Sequence, residues 1–173
     1  MNLEDYIGVT PDFPKKGISF KDISPLCLDK DAFKYTIDEL AKIAKQYNPN
    51  VIIGAESRGF IFGAALAYKM GIGFVMARKK GKLPGKTIKE TYSLEYGLET
   101  MEVPEKSFKE GDRVLLIDDL LATGGTFKAL ESLTKKAGGT PVCALAVIRL
   151  IELEGEKALS IPCHCLLNLS DSH

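Results

Sequence analysis

Apolar residues fall in short unbroken runs that alternate with stretches of helical period, the pattern of strands buried on both faces between amphipathic helices. From Asp31, the residues Phe33, Ile37, Leu40, Ala41, Ala44 and Tyr47 share one face and Lys34, Asp38, Lys42 and Lys45 the other, until Asn48-Pro49-Asn50 stops the run. Val51–Ala55 then reads as a buried strand, residues 60–69 as a helix and residues 72–77 as a second strand. Residues 114–117 form a third. After them Phe127, Leu130, Leu133 and Thr134 stand at helical spacing, with Lys135-Lys136 at the expected end before Gly138-Gly139. Residues 141–148 read as another apolar strand, 151–159 as a short helix and Cys163–Leu169 as the last strand. The alternation predicts an α/β fold with a mainly parallel central sheet flanked by helices.

Two segments escape this rhythm. Residues 1–28 carry Pro11, Pro14, Gly17 and Pro25 and little periodicity, so an irregular flap is expected. It is either an arm tucked onto the body through Phe13, Ile18, Phe20 and Ile23, or a hood over a flat ligand with Phe20 as a stacking face. Residues 78–97 form a long non-helical stretch that opens Arg78-Lys79-Lys80-Gly81-Lys82-Leu83-Pro84-Gly85-Lys86, where five of nine residues are basic. Long loops in compact domains are usually lids or disordered. A basic mobile loop suits a polyanionic leaving group.

The candidate chemistry sits where the third strand ends. Asp118 and Asp119 are adjacent there, and Ala122-Thr123-Gly124-Gly125-Thr126 leads into the next helix. A small-residue turn entering a helix offers free N–H groups and the positive end of the helix dipole to a phosphate. Two adjacent carboxylates accept hydrogen bonds from vicinal hydroxyls and favour a nearby cation. A phosphorylated ribose has both ends, although each piece alone has an ordinary structural reading. The turn Glu56-Ser57-Arg58-Gly59 offers a second anion site, or a plain helix start. An apolar strand ending in acid also resembles a Walker B strand. However, Gly81-Lys82-Leu83-Pro84-Gly85-Lys86-Thr87 has three residues between its glycines where the phosphate loop of NTPases has four, and it leads into the strand-like Glu90 to Tyr96.

The 173 residues suit one domain that buries roughly 70% of its unfolded surface. Lys plus Arg and Asp plus Glu both number 23, which removes the global basic charge expected of a nucleic-acid binder. The acidic start, MNLEDY, lacks a signal-peptide pattern, so a cytoplasmic protein is expected. Residues 59–77 are apolar enough to suggest a membrane span, but Gly71 and Gly73 divide them into helix and strand. Four cysteines are too few for a disulfide scaffold. Strand alternation turns His164 away from Cys163 and Cys165, so no metal site is expected in that triplet.

Residues 114–126 together, VLLIDDLLATGGT, resemble the 5-phosphoribosyl-1-pyrophosphate (PRPP) motif of the type I phosphoribosyltransferases. Pro11-Asp12-Phe13-Pro14, residues 20–25, Glu56-Ser57-Arg58-Gly59-Phe60, Arg78-Lys79 with residues 81–85, and the Ser93-Leu94-Glu95-Tyr96-Gly97 run are similar, in order, to the adenine phosphoribosyltransferase family. The resemblance implies a type I phosphoribosyltransferase fold with a hood at 1–28 and a flexible catalytic loop at 78–97, making AMP and pyrophosphate from adenine and PRPP. It implies that Asp118 and Asp119 hold the ribose hydroxyls and that Ala122, Thr123, Gly124, Gly125 and Thr126 cradle the 5-phosphate. Ser57, Arg58, Lys79 and Lys82 would neutralise the diphosphate, with Arg78 in its own or a partner's site and Tyr92 nearby. Glu95 and Tyr96 would be catalytic, Glu95 by contacting the purine. Backbone groups of Ser19 and Lys21 would read the adenine edge while Phe20 and Leu120 sandwich the ring. Magnesium would arrive on PRPP, near Asp118 and Asp119, and the protein would be a homodimer without nucleic-acid or membrane partners. A 6-oxopurine or pyrimidine phosphoribosyltransferase, and a non-enzymatic PRPP or purine sensor of the same fold, remain as alternatives.

Overall fold

The computed structural model describes residues 1–94 and 97–171. A two-stranded antiparallel hairpin, β1 (Gly8–Pro11) with β2 (Ser19–Asp22), and a short helix α1 (Ser24–Leu28) lead into α2 (Lys30–Lys45). The α2 start is fixed by Asp29, whose carboxylate accepts from the N–H groups of Asp31 (3.0 Å) and Ala32 (2.8 Å). The chain continues through β3 (Val51–Ala55), α3 (Arg58–Met70), β4 (Gly73–Lys79), β5 (Thr87–Leu94), β6 (Gly97–Pro104), β7 (Arg113–Leu121), α4 (Gly125–Lys136), β8 (Thr140–Leu150) and β9 (Cys163–Leu169).

Seven strands form one sheet in the order β5-β6-β4-β3-β7-β8-β9. From β4 to β9 neighbouring strands run parallel, and β5 and β6 extend the β4 edge in antiparallel fashion. Because side chains alternate along β7, Val114 and Leu116 pack with Phe127, Leu130 and Leu133 of α4, whereas Leu115 and Ile117 join Leu40, Phe62 and Leu66 on the other face. Each such fully buried side chain contributes about 1.5–3 kcal/mol. The two faces explain why this strand reads as continuously apolar.

The topology also locates the crevice. β3 is followed by α3 and then by β4 on one side, while β7 is followed by α4 and then by β8 on the other, so the chain direction across the sheet reverses between β3 and β7. Ligands in open α/β sheets bind beyond the carboxyl ends of the strands at that reversal.

Several expectations are corrected. The expected 60–69 helix begins two residues earlier and ends at Met70, and the 72–77 strand runs through Lys79. Asp118 and Asp119 do not lie beyond β7 but within it, because β8 keeps pairing as far as Leu121↔Arg149 while pairing to β3 stops at Gly54↔Ile117. The helix expected over 151–159 is two 3-10 turns, Ile151–Leu153 and Gly155–Ala158, split by Glu154 in the left-handed region (φ 48°). The segment 1–28, expected to be irregular, holds a hairpin and α1. A loop is expected over residues 78–97; of those described, Arg78 and Lys79 end β4, residues 80–86 form the turn, Thr87–Leu94 form β5, paired from Thr87↔Pro104 to Leu94↔Gly97, and Gly97 opens β6.

Candidate active site

Asp118 and Asp119 face the turn after β3 across the crevice. The guanidinium of Arg58, the first residue of α3, donates from Nε to Asp119 Oδ2 at 2.6 Å, and Asp119 is only 3% exposed. Asp118 is half-buried and accepts the Asp119 N–H at 2.9 Å. Burial pushes the Asp118 carboxyl well above the usual carboxylate range, and the charge of Asp119 adds to the effect. A raised folded-state pKa stabilises the fold at low pH, and that stabilisation is lost as pH rises through it. Asp118→Asn, which keeps the acceptor and removes the charge, should therefore melt a few degrees above the parent at pH 7.5. A chain of this size gains about 2–4 °C per kcal/mol. The gap should close as pH falls toward the ordinary value of 3.8. Calorimetry at several pH values checks this, and an unchanged or lower melting point at pH 7.5 would contradict it.

The turn after β7 forms the second wall. Gly124 has φ 90°, which lets Ala122 to Gly125 curl over the start of α4. The resulting cavity of about 310 Å³ is lined by Arg58, Leu94, Asp118, Asp119, Leu120 and residues 122–127. All five small residues singled out in the sequence, Ala122, Thr123, Gly124, Gly125 and Thr126, line it. Two close approaches hold it in shape. From above, the Ser93 carbonyl at the end of β5 lies so near Gly125 that a Cβ there would stand 2.2 Å from the oxygen. From behind, Gly155 abuts the turn, where a Cβ would stand 2.3 Å from the Ala122 carbonyl. The ion pair between Lys136 and Glu90 fastens β5 along α4.

The basic segment forms a third wall through a residue the sequence reading passed over. Glu56 follows β3, its side chain is 7% exposed, and the peptide bond to Ser57 is cis. Its Oε1 accepts from Arg78 Nε and from the Lys79 N–H, both at 3.1 Å, and its Oε2 pairs with Lys82 Nζ. Burial alone would raise the Glu56 carboxyl, but Lys82, the Lys79 N–H and Arg78 hold it down at about 2. A cavity of about 250 Å³ here is lined by Glu56, Ser57, Arg58, Lys79, Tyr92, Leu94, Glu99, Asp118, Asp119 and Thr126. Burial pushes the Tyr92 hydroxyl up to about 12, so it stays a neutral donor at neutral pH.

The hood contributes an apolar third cavity of about 740 Å³, lined by Phe13, Phe20, Ile23, Leu28, Arg58 and Ile61 among others. Phe13 packs edge-on against Phe20 (centroids 5.2 Å apart), and the Arg58 guanidinium lies 6.0 Å from the Phe20 ring centre. Ser19 is buried and its Oγ accepts from Lys21 Nζ at 2.8 Å. Phe20 lines this apolar cavity and Leu120 the one at the phosphate turn. Arg58 borders all three cavities.

Glu95 and Tyr96 lie outside the described residues. At the far edge, alternation along β9 turns His164 to Tyr47 (hydroxyl to Nε2, 2.5 Å) and packs Cys163 and Cys165 against the opposite core layer. Among the described residues no group of three or more His, Cys, Asp or Glu side chains gathers as a metal cage. Among the described residues no helix is long and apolar enough to cross a membrane.

Comparison with known proteins agrees with this geometry. A family model described as a phosphoribosyl transferase domain matches residues 28–165. The adenine phosphoribosyltransferase of Clostridium kluyveri is 50% identical over 159 residues, 92% of each chain. The crystal structure of the adenine phosphoribosyltransferase from Thermoanaerobacter pseudethanolicus superposes with a TM-score of 0.93 at 44% identity, covering 97% of this chain and 100% of that one. That of Saccharomyces cerevisiae, complexed with an imino-altritol bisphosphate and adenine, superposes with a TM-score of 0.89 at 36% identity, covering 95% and 96%. A reversal crevice walled by a phosphate-sized turn, an acidic pair and a basic segment, in a chain this similar along nearly its whole length, places the protein in the adenine phosphoribosyltransferase family.

Proposed function

We propose that this protein joins adenine to PRPP, releasing pyrophosphate and forming AMP. The observation that carries the reading is the meeting of three chemically different cavities at Arg58: a helix N-terminal turn for a phosphate, a polar cavity bordered by Arg58 and Lys79, with Arg78 and Lys82 held beside it through Glu56, for a diphosphate, and an apolar chamber for a flat ring. Incubation with adenine, PRPP and magnesium should yield AMP and pyrophosphate in equal amounts, and absence of AMP would overturn the reading.

In this mechanism the N–H groups of Thr123 to Thr126 and the α4 dipole hold the 5-phosphate. Asp118 and Asp119 accept hydrogen bonds from the ribose hydroxyls, with Arg58 fixing the Asp119 carboxylate. Nitrogen N9 of adenine attacks the anomeric carbon as its bond to the diphosphate oxygen breaks. Positive charge develops on the ribose and negative charge on the leaving group. Ser57, Lys79, Lys82, Tyr92 and Arg78 meet the latter, and Glu56 holds Arg78 in the free protein. Glu95, with Tyr96 beside it, takes part in moving the N9 proton. The hood strand β2 reads the purine edge through the main chain of Ser19 and Lys21, with Phe20 and Leu120 toward its two sides. Asp118 and Asp119 fit a magnesium ion brought in on PRPP, since magnesium is usually held by one or two carboxylates plus substrate phosphates. Once bound, it would offset charge on the diphosphate.

The β5–β6 hairpin acts as the lid, because Ser93 closes over Gly125 while the segment leading to it carries the basic residues. Limited proteolysis should cut within 78–97 in the free protein and be suppressed by PRPP with magnesium. Equal cutting with and without ligand would make the hairpin a static wall. The protein works as a cytoplasmic homodimer in purine salvage. Four free cysteines suit a reducing compartment, and Leu28 (88% exposed), Tyr68 (90%), Ile61 and Met76 offer apolar surface for a second copy.

A further inference from the structure

Glu56 occupies an unexpected position for a carboxylate. It is nearly buried, it lines the cavity assigned above to diphosphate, and its two oxygens engage three donors from one segment: Arg78 Nε, the Lys79 N–H and Lys82 Nζ. A diphosphate oxygen needs the same donors in the same place. Both cationic side chains are a third to a half exposed, so they can swing between partners, whereas the Glu56 side chain is nearly buried at the end of β3.

We infer that Glu56 is the resident anion of the diphosphate subsite, holding Arg78, Lys79 and Lys82 in place in the empty site, yielding them to diphosphate on binding and reclaiming them to expel pyrophosphate. The inference rests on the reading of that cavity given above. Its physical basis is competition. A ligand whose binding-competent state is only partly populated binds more weakly by that fraction, and removing the internal competitor restores the affinity. Partly exposed ion pairs are individually modest, so a change of about three- to thirtyfold is expected, and no more.

The alternative is that Glu56 is a strut that aims the cations at the substrate. The two roles have opposite signs. Glu56→Gln keeps the acceptor for the Lys79 N–H and removes the charge. Magnesium pyrophosphate titrated calorimetrically into the intact protein should bind this variant about three- to thirtyfold more tightly than the parent, and pyrophosphate release should slow by a similar factor. A general field effect is excluded by Glu99→Gln, since Glu99 lines the same cavity but pairs with none of the three donors among the described residues, and its affinity should change less than twofold. Glu56→Asp, too short to span both cations, should fall between parent and Glu56→Gln and serves if the latter folds poorly. Unchanged or weaker pyrophosphate binding in both Glu56 variants overturns the inference, as does an equal gain in Glu99→Gln. A parent protein that binds no pyrophosphate overturns the cavity assignment as well, which separates the two failures.

Discussion

Gly125→Ala should lower kcat/KM for PRPP on the order of 10²-fold while lowering the melting temperature by only a few degrees, since misplacing a reacting group by about 1 Å can cost that much and overpacking costs about 1–3 kcal/mol. Gly125 opens α4, where φ is ordinary, so alanine meets no backbone strain. What it meets is the Ser93 carbonyl, 2.2 Å from the new Cβ. A backbone oxygen in a paired strand cannot swing aside as a flexible side chain does. Either the end of β5 lifts off the phosphate turn or the turn sinks against Gly155, which abuts its other side. In the first case water enters above the anomeric carbon and kcat falls; in the second the 5-phosphate loses its N–H donors and the KM for PRPP rises. Steady-state kinetics separates the two. A kcat/KM within threefold of the parent would show that the contact between hairpin and turn has no part in the reaction.

How much of this was legible in the sequence follows from how far apart the cooperating residues lie. The β7 strand, the acidic pair and the glycine turn are contiguous, so residues 114–126 announce their chemistry in one stretch, and the structure places Asp118, Asp119, Leu120 and Ala122 to Thr126 on the crevice while Val114 to Ile117 stay in the core. The Arg58–Asp119 pair joins residues 61 apart, and only the reversal between β3 and β7 brings them together. Glu56 was invisible for a similar reason: its partners lie 22 to 26 residues downstream, and a lone glutamate before Ser-Arg-Gly reads as part of a helix start. Gly155 falls inside the 151–159 stretch that reads as a short helix, and its contact with the phosphate turn depends on where β8 ends. The stretch after Lys79 read as a loop because Gly81, Pro84 and Gly85 dominate its first half. The strand-like alternation that follows finds its partner in Gly97–Pro104, whose side chains carry no comparable signal. In the hood, strands of four residues between prolines are too short for any period to show.

The choice of base should show the second large effect. Adenine offers a donor at its 6-amino group and acceptors at N1 and N7, whereas hypoxanthine offers an acceptor at position 6 and a donor at N1. The strand assigned to read that edge is β2, in which Ser19 stands opposite Pro11. Ser19 and Lys21 stand two residues apart on that strand, so their backbone groups point the same way and can face one ligand edge together. With the Ser19 carbonyl and the Lys21 N–H facing the ring, hypoxanthine leaves two buried polar groups unpaired at about 1–3 kcal/mol each. Discrimination on the order of 10²–10⁴-fold follows, because about 1.4 kcal/mol is a tenfold change. Since the reading groups are main chain, Lys21→Ala should leave the ratio nearly as it is. The deciding measurement is kcat/KM for adenine, hypoxanthine and guanine under one set of conditions with PRPP and magnesium saturating. The account predicts adenine ahead by at least about 10²-fold, and use of either oxopurine within tenfold of adenine would contradict it.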